Sequence, residues 1–137
     1  MFHYRATHNR YKNYPKPTEC PFCKNINQER IIDQTEHHLI VPNRVMYDVW
    51  ELRRVTEHYM IIPRRHVRSL NELTEAEQLD HVQLMARYEV QGFNIYARSA
   101  GSFQRSVEHQ HTHLIKTKQK QAHGSFILKT PYVMVTF

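Results

Sequence analysis

The sequence predicts an α+β domain with an antiparallel sheet. One segment with helical spacing lies near the middle of the chain, and short apolar segments typical of strands both precede and follow it. With 137 residues, the chain has the size of a single domain with one core. We expect residues 19–137 to form this domain. Residues 1–18 are polar, basic and aromatic without periodicity, and we expect them to form an N-terminal arm.

The strand candidates are short segments rich in β-branched, aromatic or leucine side chains. Pro63 ends the fourth of them, because proline has no N–H to donate within a sheet. A fifth follows the helix, a cluster of histidines forms a sixth, and residues 126–137 are apolar again around Pro131. The first five are, in chain order, residues 30–33, 37–41, 45–50, 58–62 and 93–97.

One long helix is predicted from its end signals. Thr74 and Glu77 have the spacing of a capping box, and Leu73 is placed to act as its hydrophobic staple. Helical spacing of apolar residues then continues to Gln91, and Gly92 stops it. We therefore expect a helix of about 17 residues.

Composition favours an anionic partner. The formal charge is +6, with 11 histidines not counted, which suits a nucleotide, a polyphosphate or a nucleic acid. No apolar run approaches the roughly 20 residues of a membrane span. Residues 1–17 contain no apolar segment typical of a secretory signal, so we expect a cytoplasmic protein. In that reducing compartment two cysteines are metal ligands more often than a disulfide.

Cys20-Pro21-Phe22-Cys23 has the spacing at which two thiolates share one tetrahedral metal ion. A redox-active CxxC motif is the alternative. Such a motif opens a helix within a βαβ pattern, and this sequence has no such pattern here. The two missing ligands would be histidines.

His109, His111 and His113 alternate with Gln110 and Thr112. On a strand, three residues with this spacing point to the same face, about 6.6 Å apart. An imidazole can act as a nucleophile, an acid, a base or a metal ligand. A plain metal-binding patch is the alternative to a catalytic site.

The three alternating histidines, followed by Leu114 and Ile115, resemble the signature of the histidine triad superfamily of nucleotide hydrolases and transferases. Ser106-Val107, one residue before the first histidine, matches that family too. The resemblance covers roughly residues 19–117. It implies a five-stranded antiparallel sheet with one long helix and shorter helical segments, and a homodimer.

The resemblance also implies a metal site of the kind found in zinc-containing members with an N-terminal CxxC motif. The ligands would be Cys20, Cys23, His66 and His109, with one zinc ion per chain. The zinc would be structural, because four protein ligands leave no position for water. A surface histidine is the alternative for His66.

The catalytic roles implied by the resemblance centre on His111, which would attack the α-phosphorus and form a covalent nucleotidyl-histidine. A backbone carbonyl of the same strand would orient its ring. His113 would donate to a phosphate or leaving-group oxygen, and Ser106 would donate its hydroxyl and N–H to phosphate. His58 occupies the position of another family histidine.

Substrate contacts are implied at two further places. Asp48-Val49 matches an acidic-apolar pair in which the carboxylate accepts from the ribose diol and the apolar residue packs against the base. An ordinary strand-end residue is the alternative for Asp48. Gln104 and Arg105 stand where the family usually has glycine and glutamine. The guanidinium of Arg105 can hold phosphate oxygens in a fork, and a solvated loop cation is the alternative.

These residues predict a hydrolase that cleaves nucleotide phosphates at the α-phosphate, with dinucleoside polyphosphates or nucleotide phosphoramidates as substrates. A nucleotidyltransferase related to sugar-phosphate uridylyltransferases is one alternative. A non-catalytic, zinc-stabilised nucleotide- or RNA-binding module is another, supported by the +6 charge and the basic arm. A nucleotide is the favoured partner, ahead of nucleic acid.

Overall fold

An antiparallel sheet forms the centre of the molecule. The computed structural model describes residues 3–24, 26–121, 125–129 and 132–136. The strands of the sheet are, in chain order, β1 (Asp33–Gln34), β2 (His38–Pro42), β3 (Val49–Trp50), β4 (Arg53–Pro63), β5 (Asn94–Tyr96) and β6 (Thr112–Gln121).

The strand order is β1-β2-β4-β6-β5, and every neighbouring pair is antiparallel. The short β3 pairs with the beginning of β4, so the sheet has six strands where five were expected. This arrangement confirms the predicted α+β class. The two longest strands, β4 and β6, lie side by side at its centre.

Three α-helices accompany the sheet in the described residues: α1 (Arg5–Lys12), α2 (Pro21–Lys24) and α3 (Glu75–Glu89). The capping box at the start of α3 is confirmed. Thr74 Oγ1 accepts from the N–H of Glu77, and Glu77 Oε2 accepts from the N–H of Thr74. The helix ends two residues before the predicted end, and Gly92 follows with a φ of +87°. No helix of the described chain is both long enough and apolar enough to span a bilayer.

The sheet is covered on both faces. Helix α3 packs on one face, where Leu84 contacts a buried cluster that includes Ile40, Ile61 and Leu114. On the other face a second cluster is built from alternate residues of the same strands and is covered by Phe22. Its buried members are Leu39, Val41, Met60 and Ile62. We refer to these as the helix face and the site face of the sheet.

Several predicted strands have different bounds. Of residues 45–50, only Val49–Trp50 joins the sheet, and the N–H of Val45 donates to the side chain of Asn43 instead of to a strand. The candidate at 58–62 extends back to Arg53, and that at 30–33 shortens to Asp33–Gln34 behind a 3-10 turn. The apolar end of the chain forms a hairpin of β7 (Ser125–Lys129) and β8 (Tyr132–Thr136).

The histidine segment also differs from the prediction. Strand β6 begins only at Thr112, so His109 and His111 lie outside the ladder. Gln110 donates its N–H to the carbonyl of Val67 instead, at 2.7 Å. The expectation of three histidines evenly spaced along one strand was therefore wrong. Because the backbone leaves the sheet, the first histidine can serve a different cluster from the other two.

Candidate functional site

Four metal-ligating side chains from three parts of the chain converge beside the histidine segment. One ligand atom from each of Cys20, Cys23, His66 and His109 lies within 4.8 Å of all the others. His109 Nδ1 is 3.5 Å from both sulfur atoms, and His66 Nδ1 is 3.2 Å from Cys23 Sγ. This cluster could hold a metal ion, as the spacing of the cysteines predicted.

The local backbone positions each ligand of this cluster. The N–H groups of Cys23 and Lys24 bond to the carbonyl of Cys20, so a tight turn brings the two sulfur atoms together. The bond from Gln110 to Val67 ties the segment that carries His109 to the segment that follows His66.

The ring of His109 is held in the orientation that a metal ligand requires. Its Nε2 is 2.9 Å from the carbonyl of Pro63, which can only accept, so Nε2 carries the proton. Nδ1 is left with a lone pair that points at the two sulfur atoms. A ligating histidine commonly has this second bond to a carbonyl, since it fixes both the tautomer and the ring.

His111 is oriented by the backbone of its own segment. Its Nδ1 lies 2.8 Å from the carbonyl of His109, so Nδ1 donates and Nε2 keeps a free lone pair. The residue is only 7% exposed, and the edge of the Phe22 ring packs against it with centroids 5.3 Å apart. Burial lowers the pKa of His111, which keeps the ring neutral near pH 7.

His113 is oriented by a chain of hydrogen bonds through His58. The N–H of Tyr47 donates to His58 Nδ1 at 3.1 Å, so the proton of that ring lies on Nε2. His58 Nε2 then donates to His113 Nδ1 at 2.9 Å. Asn43 Nδ2 lies 3.3 Å from the same His58 nitrogen, but it is a donor and cannot bond to an N–H. His113 consequently carries its own proton on Nε2, with its ring 5.0 Å from that of His111.

The rings of His58 and His113 are both neutral. Burial, together with a smaller contribution from neighbouring histidines, lowers the pKa of His58 to about 3 and that of His113 to about 2. The charge of Arg98 adds to the lowering at His111 and His113. The site therefore offers one acceptor nitrogen on His111 and one donor N–H on His113 within a pair of neutral rings.

Aromatic side chains form the wall beside His113. Tyr47 and Trp50 are stacked with an interplanar angle of 6°, and Tyr96 packs against both Trp50 and His113. Arg98 lies over the ring of Tyr96 at 5.6 Å. A flat, partly apolar ligand such as a nucleobase suits a wall of this kind.

Asp48 lies next to this wall, and the N-terminal arm contacts it. Asp48 Oδ2 accepts from the N–H of Tyr4 at 2.8 Å, and Oδ1 accepts from the hydroxyl of Thr7 at 3.2 Å. His3 Nδ1 lies 3.4 Å from the same carboxylate. The carboxylate therefore contacts the start of helix α1, a helix that the sequence did not predict. Val49 is half-buried in β3, and ribose and base binding by this pair stays a prediction.

The loop before the histidine segment is braced by Arg105. Its guanidinium donates to the carbonyls of Val107 and Arg68 and to Gln110 Oε1, at 2.8 to 3.1 Å. Gln104 is exposed and accepts from Arg98 Nη1 at 2.8 Å, and Ser106 is exposed. The substrate contacts expected of these three loop residues stay predictions.

Sequence reasoning missed four residues that shape the site: Phe22, Asn43, Tyr47 and Arg98. Phe22 stands inside the CxxC motif, and an aromatic residue between two ligands was a signal that could have been used. Tyr47 acts through its backbone N–H, which no side-chain pattern can reveal.

Comparison with known families gives one match. Residues 53–120 match the family model described as the HIT domain, where HIT stands for histidine triad. No curated protein matches the sequence. The matched residues include the long helix, β4, all but the last residue of β6, and the three histidines at 109, 111 and 113. The match supports the histidine triad superfamily.

Solved structures share the fold at low sequence identity. A HIT family hydrolase from Clostridium thermocellum is 19% identical, with a TM-score of 0.57 over 77% of this chain and 96% of that one. A hypothetical histidine triad nucleotide-binding protein from Sulfolobus tokodaii is 18% identical, with a TM-score of 0.57 over 74% and 71%. A hypothetical protein from Leishmania major is 21% identical, with a TM-score of 0.57 over 87% and 84%.

Proposed function

We propose that this chain is a histidine triad hydrolase that cleaves nucleotide phosphates at the α-phosphate through a covalent nucleotidyl-His111. The observation that carries the proposal is the pair of rings at the site. His111 Nδ1 is committed to the carbonyl of His109, which leaves Nε2 as a nucleophile. His113 has the complementary arrangement, with Nδ1 accepting and Nε2 carrying a proton.

The proposed reaction has two steps. His111 Nε2 attacks the α-phosphorus, an N–P bond forms, and the bond from phosphorus to the bridging oxygen or nitrogen breaks. His113 Nε2–H donates a hydrogen bond to the leaving group, which departs with the electron pair of the broken bond. In the second step water attacks phosphorus, the N–P bond breaks and returns its electron pair to His111 Nε2, and the proton of the water passes to the leaving group or to solvent. The products are the leaving group and a nucleoside monophosphate.

Neutral rings suit this chemistry. A protonated His111 has no lone pair for attack, and its buried position disfavours protonation. The proton that attack leaves on Nδ1 stays hydrogen-bonded to the carbonyl of His109. Ser106, Gln104 and Arg105 lie on the preceding loop, and we propose that they contact the phosphates. Asp48 and Val49 would contact the nucleoside.

We propose further that the Cys20, Cys23, His66 and His109 cluster holds one structural zinc ion. Tetrahedral zinc with bonds of about 2.3 Å to sulfur and about 2.1 Å to nitrogen places those atoms about 3.6 Å apart. Three sulfur-to-nitrogen separations of 3.2 to 3.5 Å are close to that figure, and all four ligand atoms lie within 4.8 Å of one another. When bound, the ion would fix the segment that leads into His111 and would take no part in the reaction.

The test is to trap the intermediate on His111. Protein mixed with dinucleoside polyphosphates or nucleotide phosphoramidates, quenched in alkali and digested, should show a peptide with one nucleotidyl group on His111. The His111→Asn variant should lose this adduct and several orders of magnitude in turnover, while folding and nucleotide binding stay nearly intact.

His37→Asn is the matched control, because His37 is half-buried outside the site. It should retain both adduct and turnover. Wild-type rates in His111→Asn would remove the nucleophile from the proposal. Tight nucleotide or RNA binding without any adduct would favour the binding module. Transfer of the nucleotidyl group to an added phosphate acceptor, in preference to water, would favour the transferase.

A further inference from the structure

A second hydrogen-bonded network of polar side chains lies on the helix face of the sheet. Its residues take no part in the proposed reaction. Asp80 and His81 come from α3, His38 from β2 and Thr112 from β6. His38 Nδ1 is 2.8 Å from Asp80 Oδ2, His81 Nδ1 is 3.1 Å from His38 Nε2, and His81 Nε2 is 3.0 Å from Thr112 Oγ1. We call these four residues the helix-face network.

The carboxylate of Asp80 fixes the direction of every hydrogen bond in this network. Asp80 can only accept, so His38 carries its proton on Nδ1 and accepts at Nε2. His81 must then donate from Nδ1 and accept at Nε2. Thr112 donates its hydroxyl proton to that nitrogen, so its side-chain rotamer is fixed. Thr35 also donates to Asp80, which holds the carboxylate in place.

The helix-face network stabilises the fold less than apolar side chains in the same space would. His38, His81 and Thr112 are at most 2% exposed and lie beside the apolar cluster that α3 forms with the sheet. Buried polar side chains stabilise a fold little compared with apolar ones of similar volume, even when every bond is made. They do impose one geometry, because any other arrangement leaves a buried group without a partner.

Thr112 is the place where that geometry matters to the site. It is the first residue of β6 and pairs with Ile61 at the end of the ladder, so the chain leaves the sheet immediately before it. Its neighbours His111 and His113 point to the site face. Whatever fixes Thr112 from the helix face also fixes the peptide units on either side of it.

We propose that the helix-face network positions the two catalytic histidines. It anchors the hydroxyl of Thr112 to α3 through His81 and His38, and Asp80 is its fixed end. The inference rests on the proposed function of His111 and His113. None of its four residues touches the substrate, so they are positioning residues and should affect turnover more than binding.

The test compares three substitutions on one strand. Thr112→Val keeps the shape of the side chain and removes its hydroxyl, and Thr112→Ser keeps the hydroxyl. Thr117→Val makes the same change further along β6, where the residue is half-buried and outside the site. We expect Thr112→Val to lower kcat roughly 10- to 100-fold with little change in KM, because small misplacements of reacting groups carry such costs. Thr112→Ser and Thr117→Val should stay near the wild type.

A double variant tests whether the helix-face network acts as a unit. His81→Leu alone should lower kcat about as much as Thr112→Val, and the two changes together should cost little more than either one. Full additivity, equal losses in Thr112→Val and Thr117→Val, or wild-type kcat in Thr112→Val would overturn the proposal.

A readout without activity separates this inference from the proposed function. The ring nitrogen and carbon-bound proton signals of His111 and His113, measured by two-dimensional NMR, should shift in Thr112→Val but not in Thr117→Val. An inactive wild type in which these signals shift would mean that the function is wrong and the positioning correct. An active wild type with unchanged signals and kcat in Thr112→Val would mean the reverse.

Discussion

The two faces of the sheet each carry a buried pair of histidines, and the pairs have opposite polarity. On the site face, His58 and His113 are 2.9 Å apart. On the helix face, His38 and His81 are 3.1 Å apart. We call these the site-side pair and the helix-side pair. Both are almost fully buried, and burial lowers the pKa of all four rings.

The difference lies in what each pair meets at its fixed end. The site-side pair begins at a donor, the N–H of Tyr47. Each ring therefore accepts on its inner nitrogen and has its N–H on the outer one, and the N–H of His113 is left for a ligand. The helix-side pair begins at an acceptor, the carboxylate of Asp80, so the last nitrogen has only a lone pair. The comparison teaches that the terminal partner, rather than the imidazole itself, decides whether such a pair ends in a hydrogen-bond donor or an acceptor.

The largest effect we expect separates the pairs by function. His113→Phe removes the outward N–H, and kcat should fall roughly 10²- to 10³-fold, the usual cost of losing one donor to the charge that develops in the transition state. His81→Phe removes only an anchor, and its loss in kcat should be roughly 100-fold or less. Steady-state kinetics on one dinucleoside polyphosphate would measure both. Equal losses in the two variants would break the comparison.

Metal removal should disturb the site face of the sheet and spare the helix-side pair. The Cys20→Ser, Cys23→Ser double variant should lose its zinc, about one ion per chain, and about 4 kcal/mol or more of unfolding free energy. Metal analysis and denaturant unfolding would measure these losses, and His66→Ala should act in the same direction. NMR signals of the His111 ring should move, whereas those of His38 and His81 should not. Stoichiometric zinc in the double variant would refute the metal site.

Acid should act on the helix-side pair with a predictable sign. An unfolded histidine has a pKa near 6.5, and burial lowers that of folded His81 to about 4. Between these values the unfolded chain binds the proton first, so stability falls as pH falls. The full loss below pH 4 is about 3 kcal/mol.

His81→Leu is the control for this pH effect, because it lacks the ring but shares any loss of metal in acid. Denaturant unfolding at pH 7 and pH 4 should show a smaller decrease for this variant than for the wild type. The same decrease in both would mean that His81 does not contribute.

The smallest effect is expected at Arg105, on the loop beside the site-side pair. Its two terminal nitrogens each donate one bond to the protein, and each carries a second N–H that we propose binds a phosphate. Arg105→Gln should cost about 1–2 kcal/mol of stability. We expect it to weaken hydrolysis of polyphosphates more than that of nucleoside monophosphate esters, as kcat/KM on each class would show. Equal effects on both would leave the arginine as a loop brace alone.

Local sequence signals predicted the parts of the fold that depend on neighbouring residues. The capping box of α3 needs only Thr74 and Glu77, and both formed it. The centres of β2 and β4 followed from short apolar runs bounded by polar residues. The convergence of the four metal-ligating side chains followed from the resemblance to zinc-containing relatives, which singled out His66 and His109 among the histidines as partners of the CxxC motif.

Contacts between distant segments could not be predicted in this way. His38 and His81 are 43 positions apart and look like ordinary polar residues, and only the packing of α3 on the sheet brings them together. The exit of residues 109–111 from the ladder depends on Val67, which accepts from Gln110. Helix α1 is held at its start by contacts with Asp48, a carboxylate from another part of the chain that its own sequence does not reveal.

The contact between Asp48 and the arm has a consequence for binding kinetics. Any ligand group that uses this carboxylate must first displace the N–H of Tyr4 and the hydroxyl of Thr7. These competitors are tethered to the same chain, so their effective concentration is in the order of millimolar and dilution does not weaken them. Apparent affinity for such a ligand is then reduced by the fraction of time the arm is docked. Substitutions in α1 would change affinity and association rate at a pocket they do not line.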